Sequence, residues 1–180
     1  EVYTGNTVEL EKILESALKK KQKLMISCIN PHSFCLYMRD QSYKKAIEIT
    51  DILLCDGIGF QSVERYLHHK TYSRITGFDV TKIMLNLANL MALKVIFIGS
   101  TEENLKVLKT NVEVQYQNIE IATFAPPFVE SFGENECRDI RNFLSRENCD
   151  LVFFGLTAPK QECLSWAVCS SQNQHIVANV

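Results

Sequence analysis

Short apolar runs alternate along this chain with stretches whose apolar positions recur every three or four residues. LMISCI (24–29), DILLC (51–55), KVIFIG (94–99), IEIATF (119–124), DLVFFGL (150–156) and HIVANV (175–180) are predicted strands. Helices are predicted between them. Asn6 and Glu9 have capping-box spacing ahead of LEKILESALKKK, where Leu10, Ile13, Leu14 and Leu18 share a face and three lysines suit the C-terminal end. NPHSFCLYMRD carries Pro31 at a first helical position, and residues 42–49 add another helical turn or two. FQSVERYLHH is predicted to turn Val63, Tyr66 and Leu67 inward, and residues 70–77 form a polar connection. FDVTKIMLNLANLMAL, TEENLKVLKTNVEVQ with Thr101 as N-cap, residues 134–146 and KQECLSWAVCSS complete the set. Trp166 lies among apolar residues at helical spacing and is expected in the core.

Strands that read as continuous apolar runs, alternating with helices, predict an α/β fold: a parallel sheet of about six strands with helices on both faces. No repeat, low-complexity stretch or linker divides residues 1–180, so a single domain is expected. Ligands of an open parallel sheet bind beyond the carboxyl ends of its strands. Asn30, Asp56, the Gly99-Ser100 pair and the GLTAPKQ loop fall at four such ends, which predicts one shared crevice.

Composition narrows the chemistry. The chain is 46% hydrophobic and 22% charged, as in globular proteins, and its net charge of −2 provides no basic field for nucleic acid. There is no run of about 18 apolar residues to span a membrane. Seven cysteines occur without a CxxC pair, so buried, reduced thiols in a cytosolic protein are expected rather than a zinc site. His32, His68, His69 and His175 lack metal-ligand spacing, and His68-His69 suit a helix end. The absence of GxSxG and GxGxxG argues against a serine hydrolase and an NAD enzyme.

Each candidate has a structural and a chemical reading. Asp56, in CDGIGF, suits a helix N-cap or a general base accepting a proton from a sugar hydroxyl, with Gly57 and Gly59 admitting a bulky ligand. In RITGFD, Thr76 or Gly77 suits a cap, whereas Arg74 beside a helix N-terminus suits a phosphate. Lys160 in GLTAPKQE stands at the positive end of a helix, a mild misfit that a nearby diphosphate would relieve or solvent would tolerate.

CDGIGF, RITGFD, IFIGS and FFGLTAPKQE, in that order and at fitting separations, resemble the WecG/TagA/CpsF glycosyltransferase family over residues 23–180. The resemblance implies a Rossmann-like fold and an inverting, metal-free transfer with no cofactor. An N-acetylmannosamine-type sugar would pass from a UDP donor to undecaprenyl-diphosphate-linked N-acetylglucosamine. It further implies peripheral contact with the cytoplasmic membrane face, self-association, and a role in teichoic acid, common antigen or capsule synthesis. On the residues, it implies Asp56 as base and Arg74 on phosphate or donor sugar. Asn30, Gly57, Thr76, Asp79, Gly99, Ser100, Gly155, Lys160 and Gln161 would line the substrate site. Cys28 stands where the family's T-x-N motif has Thr, and Ser100 where a second Gly is usual. Family members continue into a C-terminal appendage, which this chain is expected to lack. A non-catalytic nucleotide-sugar-binding or assembly module remains the alternative, and another α/β nucleotide enzyme such as a methyltransferase a third reading.

Overall fold

The computed structural model describes residues 2–56, 74–169 and 176–180. The helix expected through FQSVERYLHH, the His68-His69 pair, His175 and Gly57 therefore lie outside the described residues. Within them the order is α1 (Thr7–Lys19), β1 (Leu24–Ile29), α2 (Pro31–Arg39), α3 (Gln41–Glu48), β2 (Ile52–Cys55), α4 (Gly77–Met91), β3 (Lys94–Gly99), α5 (Glu102–Gln115), β4 (Glu120–Phe124), α6 (Glu134–Glu147), β5 (Leu151–Gly155), α7 (Lys160–Cys169) and β6 (Ile176–Asn179).

The six strands form one sheet in the order β2-β1-β6-β5-β3-β4, and every pairing is parallel. Buried strands need cover on both faces. On one face α1, α4 and α5 bury Leu10, Leu14, Val80, Met84 and Leu105 against Ile26, Leu54, Phe97 and Phe153. On the other, α6 and α7 bury Ile140, Leu144, Leu164 and Val168 against Ile96, Ile98, Val152 and Phe154, while α3 sets Tyr43 and Ile47 on Ile29 and Leu53. At the amino ends of the strands, Asp51 and Asp150 accept the Met25 and Lys94 main-chain N–H groups at 2.8 and 3.0 Å. These aspartates, each just ahead of an apolar run, pin the register of neighbouring strands.

Two expectations need correction. Ile13 is 41% exposed, and Ala17 takes its place in the buried face of α1. At 3.6 residues per turn, position 13 falls at the margin of the stripe made by residues 10, 14, 17 and 18. Trp166 is 38% exposed rather than in the core, because Leu164, Ser165, Val168 and Cys169 turn the opposite side of α7 inward.

The topology creates a switch point. From β3 the chain runs through α5 outward to β4, and from β5 it runs through α7 on the opposite face to β6. Adjacent strands whose connections part in this way open a crevice above their carboxyl ends.

Candidate active site

The switch point is built by glycine. Gly99 closes β3 directly beside Gly155 at the end of β5. Its φ is +136°, and a Cβ there would lie 2.8 Å from the Gly155 carbonyl carbon, so position 99 has no room for a side chain. Around Gly155, by contrast, an added Cβ would meet nothing within 4 Å. Ser100 follows with φ +57° and accepts from the Asn104 side-chain amide at 3.1 Å, while Thr101 caps α5. Above these residues lies a cleft of about 760 Å³, lined by Ser100, Phe128, Gly155, Thr157, Lys160 and Val180. A smaller cavity of about 340 Å³ continues from Ser100 and Gly155 past Gly99 to Gly77 and Phe78. Both volumes are of the size that holds small-molecule ligands.

Asp56 stands one residue beyond β2, its N–H held by the Ile29 carbonyl at 2.8 Å. Its Oδ1 lies 3.7 Å from Arg74 Nη2, with the side chains 32% and 52% exposed. This separation is a loose ion pair, too long for a hydrogen bond. Such an exposed pair contributes about 0–1 kcal/mol, so Arg74 can turn to another anion at small cost.

Thr76 and Asp79 of RITGFD cap the helix that follows. Thr76 is the N-cap of α4: its Oγ1 accepts from Asp79 N at 3.2 Å, and Asp79 Oδ2 accepts from Thr76 N at 2.8 Å and from the Thr76 hydroxyl at 2.7 Å. These Thr76 hydrogen bonds, main-chain first, hold the Asp79 carboxyl below its usual range, and Arg74 adds to the effect. Asn30 plays the same part for α2, where its Oδ1 accepts from Ser33 N at 2.9 Å. The structural reading of Thr76 is therefore the one the fold uses, and the Asn30 carbonyl oxygen is engaged in a cap.

Cys28, half-buried in β1, faces the same region. Burial first, then the charges of Asp56, Glu162 and Asp79, push its thiol up to about 12. It stays a neutral, weak donor where a hydroxyl would bind more strongly.

The GLTAPKQE loop buries Gln161 and Glu162 and leaves Thr157 exposed. A cis peptide bond joins Ala158 and Pro159. Lys160 donates to the Val129 carbonyl at 2.7 Å and lies 5.7 Å from the centre of the Phe128 ring, which satisfies a cation at a helix start. Gln161 is 8% exposed, and its Oε1 accepts from Leu156 N at 3.3 Å. Glu162, 1% exposed, escaped the reading of the sequence. A signal was there: stepping back along the buried stripe from Val168 through Leu164 and Ser165 lands on Gln161 and Glu162, two polar residues at core positions.

Cys28, Asn30, Asp56, Gly99, Ser100 and Gly155 lie at the carboxyl ends of β1, β2, β3 and β5, with Arg74, Thr76, Asp79, Lys160 and Gln161 in the segments and helix starts that follow. They divide into two groupings. Gly99, Ser100, Gly155 and Lys160 border the clefts at the switch point, whereas Asp56 and Arg74 face each other beside Cys28 and Asp79. Among the described residues no cluster of three or more His, Cys, Asp or Glu side chains could hold a metal ion. Of the seven cysteines four are buried and Cys35 is exposed. No described helix is long and apolar enough to cross a membrane.

These features define a Rossmann-like α/β protein with clefts at its topological switch point. The chain belongs to the glycosyl transferase WecG/TagA/CpsF family, which it matches over residues 2–180. It is similar to proteins named N-acetylglucosaminyldiphosphoundecaprenol N-acetyl-beta-D-mannosaminyltransferase. The Bacillus subtilis protein is 28% identical over 145 residues, covering 81% of this chain and 55% of the relative. The Bacillus spizizenii protein is 26% identical over 145 residues (81% and 54%), and that of Staphylococcus aureus 25% over 146 residues (81% and 56%). The chain spans about half the length of these relatives.

Proposed function

We propose that this chain carries the donor-binding and catalytic core of a UDP-sugar-dependent hexosyltransferase. It moves an N-acetylmannosamine-type sugar from UDP to undecaprenyl-diphosphate-linked N-acetylglucosamine in cell-surface polymer synthesis. The observation that carries this reading is the meeting of Asp56 and Arg74 on the rim that holds the Gly99–Gly155 switch point, in a chain of this family.

The reaction is a single displacement. The acceptor oxygen forms its bond to the anomeric carbon as the bond to UDP breaks on the opposite side, inverting the centre. Asp56 receives the hydroxyl proton. Arg74 swings from its loose pair with Asp56 to the departing diphosphate, whose charge it stabilises together with the helix N-termini at the rim. The glycine-lined cleft takes the nucleotide, and Gln161 contacts the donor. No metal is required in this scheme. This core works at the inner face of the cell membrane, in peripheral contact with it, and self-associates.

A nucleotide-sugar-binding module without transfer is the second reading, favoured by the thiol of Cys28 at a position where the family's motif supplies a hydroxyl. Calorimetric titration with a panel of UDP-sugars, followed by a transfer assay on a lipid-diphosphate acceptor in the full-length protein, separates the two. Binding with transfer supports the enzyme, binding without transfer the module, and failure to bind any UDP-sugar overturns both.

A further inference from the structure

Glu162 is a costly residue where it stands. It is 1% exposed, and burial raises its carboxyl above the usual range. Its Oε2 makes no hydrogen bond among the described residues. A leucine there would remove a buried polar group of the kind that costs about 1–3 kcal/mol when unpaired. The unpaired oxygen is thus a cost that its other oxygen must offset.

Its neighbour supplies the partner for that other oxygen. The group facing Gln161 Oε1 is the Leu156 main-chain N–H, a donor, so the oxygen of the amide must point there. Nε2 then points to Glu162 Oε1, at 3.0 Å. One of the two Nε2 hydrogens is engaged by Glu162, and the other has no partner among the described residues. With Leu156 on one side and Glu162 on the other, the amide is held in a single orientation.

We propose that Glu162 is a positioning residue that locks the Gln161 amide so that its remaining N–H is presented to the UDP-sugar. The inference rests on the reading that Gln161 contacts the donor. Without Glu162, Nε2 loses its anchor and the amide rotates, and the donor loses a pre-aimed hydrogen bond.

The test is UDP binding by calorimetry in Glu162→Leu, Glu162→Gln, Gln161→Ala and the Gln161→Ala/Glu162→Leu double variant, with thermal melting of each. Glu162→Leu is expected to stay folded but to bind UDP about tenfold more weakly, the worth of one well-aimed hydrogen bond. Glu162→Gln, whose side-chain oxygen accepts the same N–H, is expected to keep parental affinity. The double variant should bind no more weakly than Gln161→Ala alone, since both changes remove one interaction. Weak binding by Gln161→Ala with parental binding by Glu162→Leu overturns the inference and leaves the donor contact standing. Parental binding by Gln161→Ala overturns the donor contact, and the inference falls with it. If Glu162→Leu does not fold, the side-chain amide NMR signals of Gln161 in the parent decide: one proton is expected to be protected before UDP is added and the other to shift on its addition. Two equivalent, unprotected protons would overturn the lock.

Discussion

The end of β3 is packed against the end of β5 so closely that Gly99 admits no Cβ, while its register partner Gly155 faces open space. Two glycines side by side thus have different jobs. Gly99→Ala is expected to lose about 3 kcal/mol, from backbone strain at φ +136° together with the clash on Gly155. Gly155→Ala is expected to hold stability within about 0.5 kcal/mol but to weaken UDP binding, because the new methyl group enters the cleft. Urea unfolding and calorimetry on both variants check the contrast.

Thr76 and Asp79 form a reciprocal cap, and its contribution is measurable by mutation and by pH. Thr76→Ala is expected to cost about 1 kcal/mol, and Thr76→Ser much less. The Asp79 carboxyl titrates lower in the folded chain than in the unfolded one. The unfolded chain therefore binds the proton first as pH falls. This contribution to stability is present above about pH 4 and is lost as pH drops through the depressed folded value. Asp79→Asn should remove that part of the acid sensitivity, read from denaturant midpoints between pH 3 and 6.

Asp56 and Arg74, loosely paired, are expected to give opposite kinetic signatures. Asp56→Asn should lower kcat by about 10²–10⁴-fold, the worth of a positioned base, with UDP affinity kept. Arg74→Ala should weaken UDP binding and raise the donor KM. Neither change should alter the melting temperature appreciably, because exposed ion pairs contribute little. Parental turnover by Asp56→Asn would remove Asp56 from the mechanism.

The thiols should separate by environment. Cys35 is exposed, whereas burial first of all pushes Cys28 and Cys149 up to about 12 and Cys163 up to about 11. At pH 8 these three hold almost no thiolate, the reactive form. A disulfide reagent applied to the native protein should modify Cys35 within seconds and leave Cys28 and Cys149 untouched until denaturant is added.

The strands could be read from the sequence because burial on both faces leaves them apolar without interruption: KVIFIG occupies Lys94–Gly99 and LMISCI Leu24–Ile29 to the residue. Caps such as Asn6 with Glu9 and Thr101 were legible because their hydrogen bonds are local. What escaped depends on the third dimension. Ile13 and Trp166 are apolar enough for a core, yet which side of a helix is covered depends on where the sheet lies. Strand order is likewise invisible in a periodicity, so the meeting of Gly99 with Gly155 could not be read from spacing. Thr76 carried both a capping and a binding reading and Asn30 only a binding one, and the hydrogen-bond partners show that both side chains cap helices. Glu162 was hidden by its type, since an acid in a first helical turn ordinarily faces water.

Strand β6 sits between β1 and β5, and no other strand joins those two. Among the described residues the layer is therefore two blocks, one ending in Asn30 and Asp56 and the other in Gly99 and Gly155, joined by Ile176–Asn179. Those four residues alone fix, within the sheet, how far the two halves of the proposed site stand from each other.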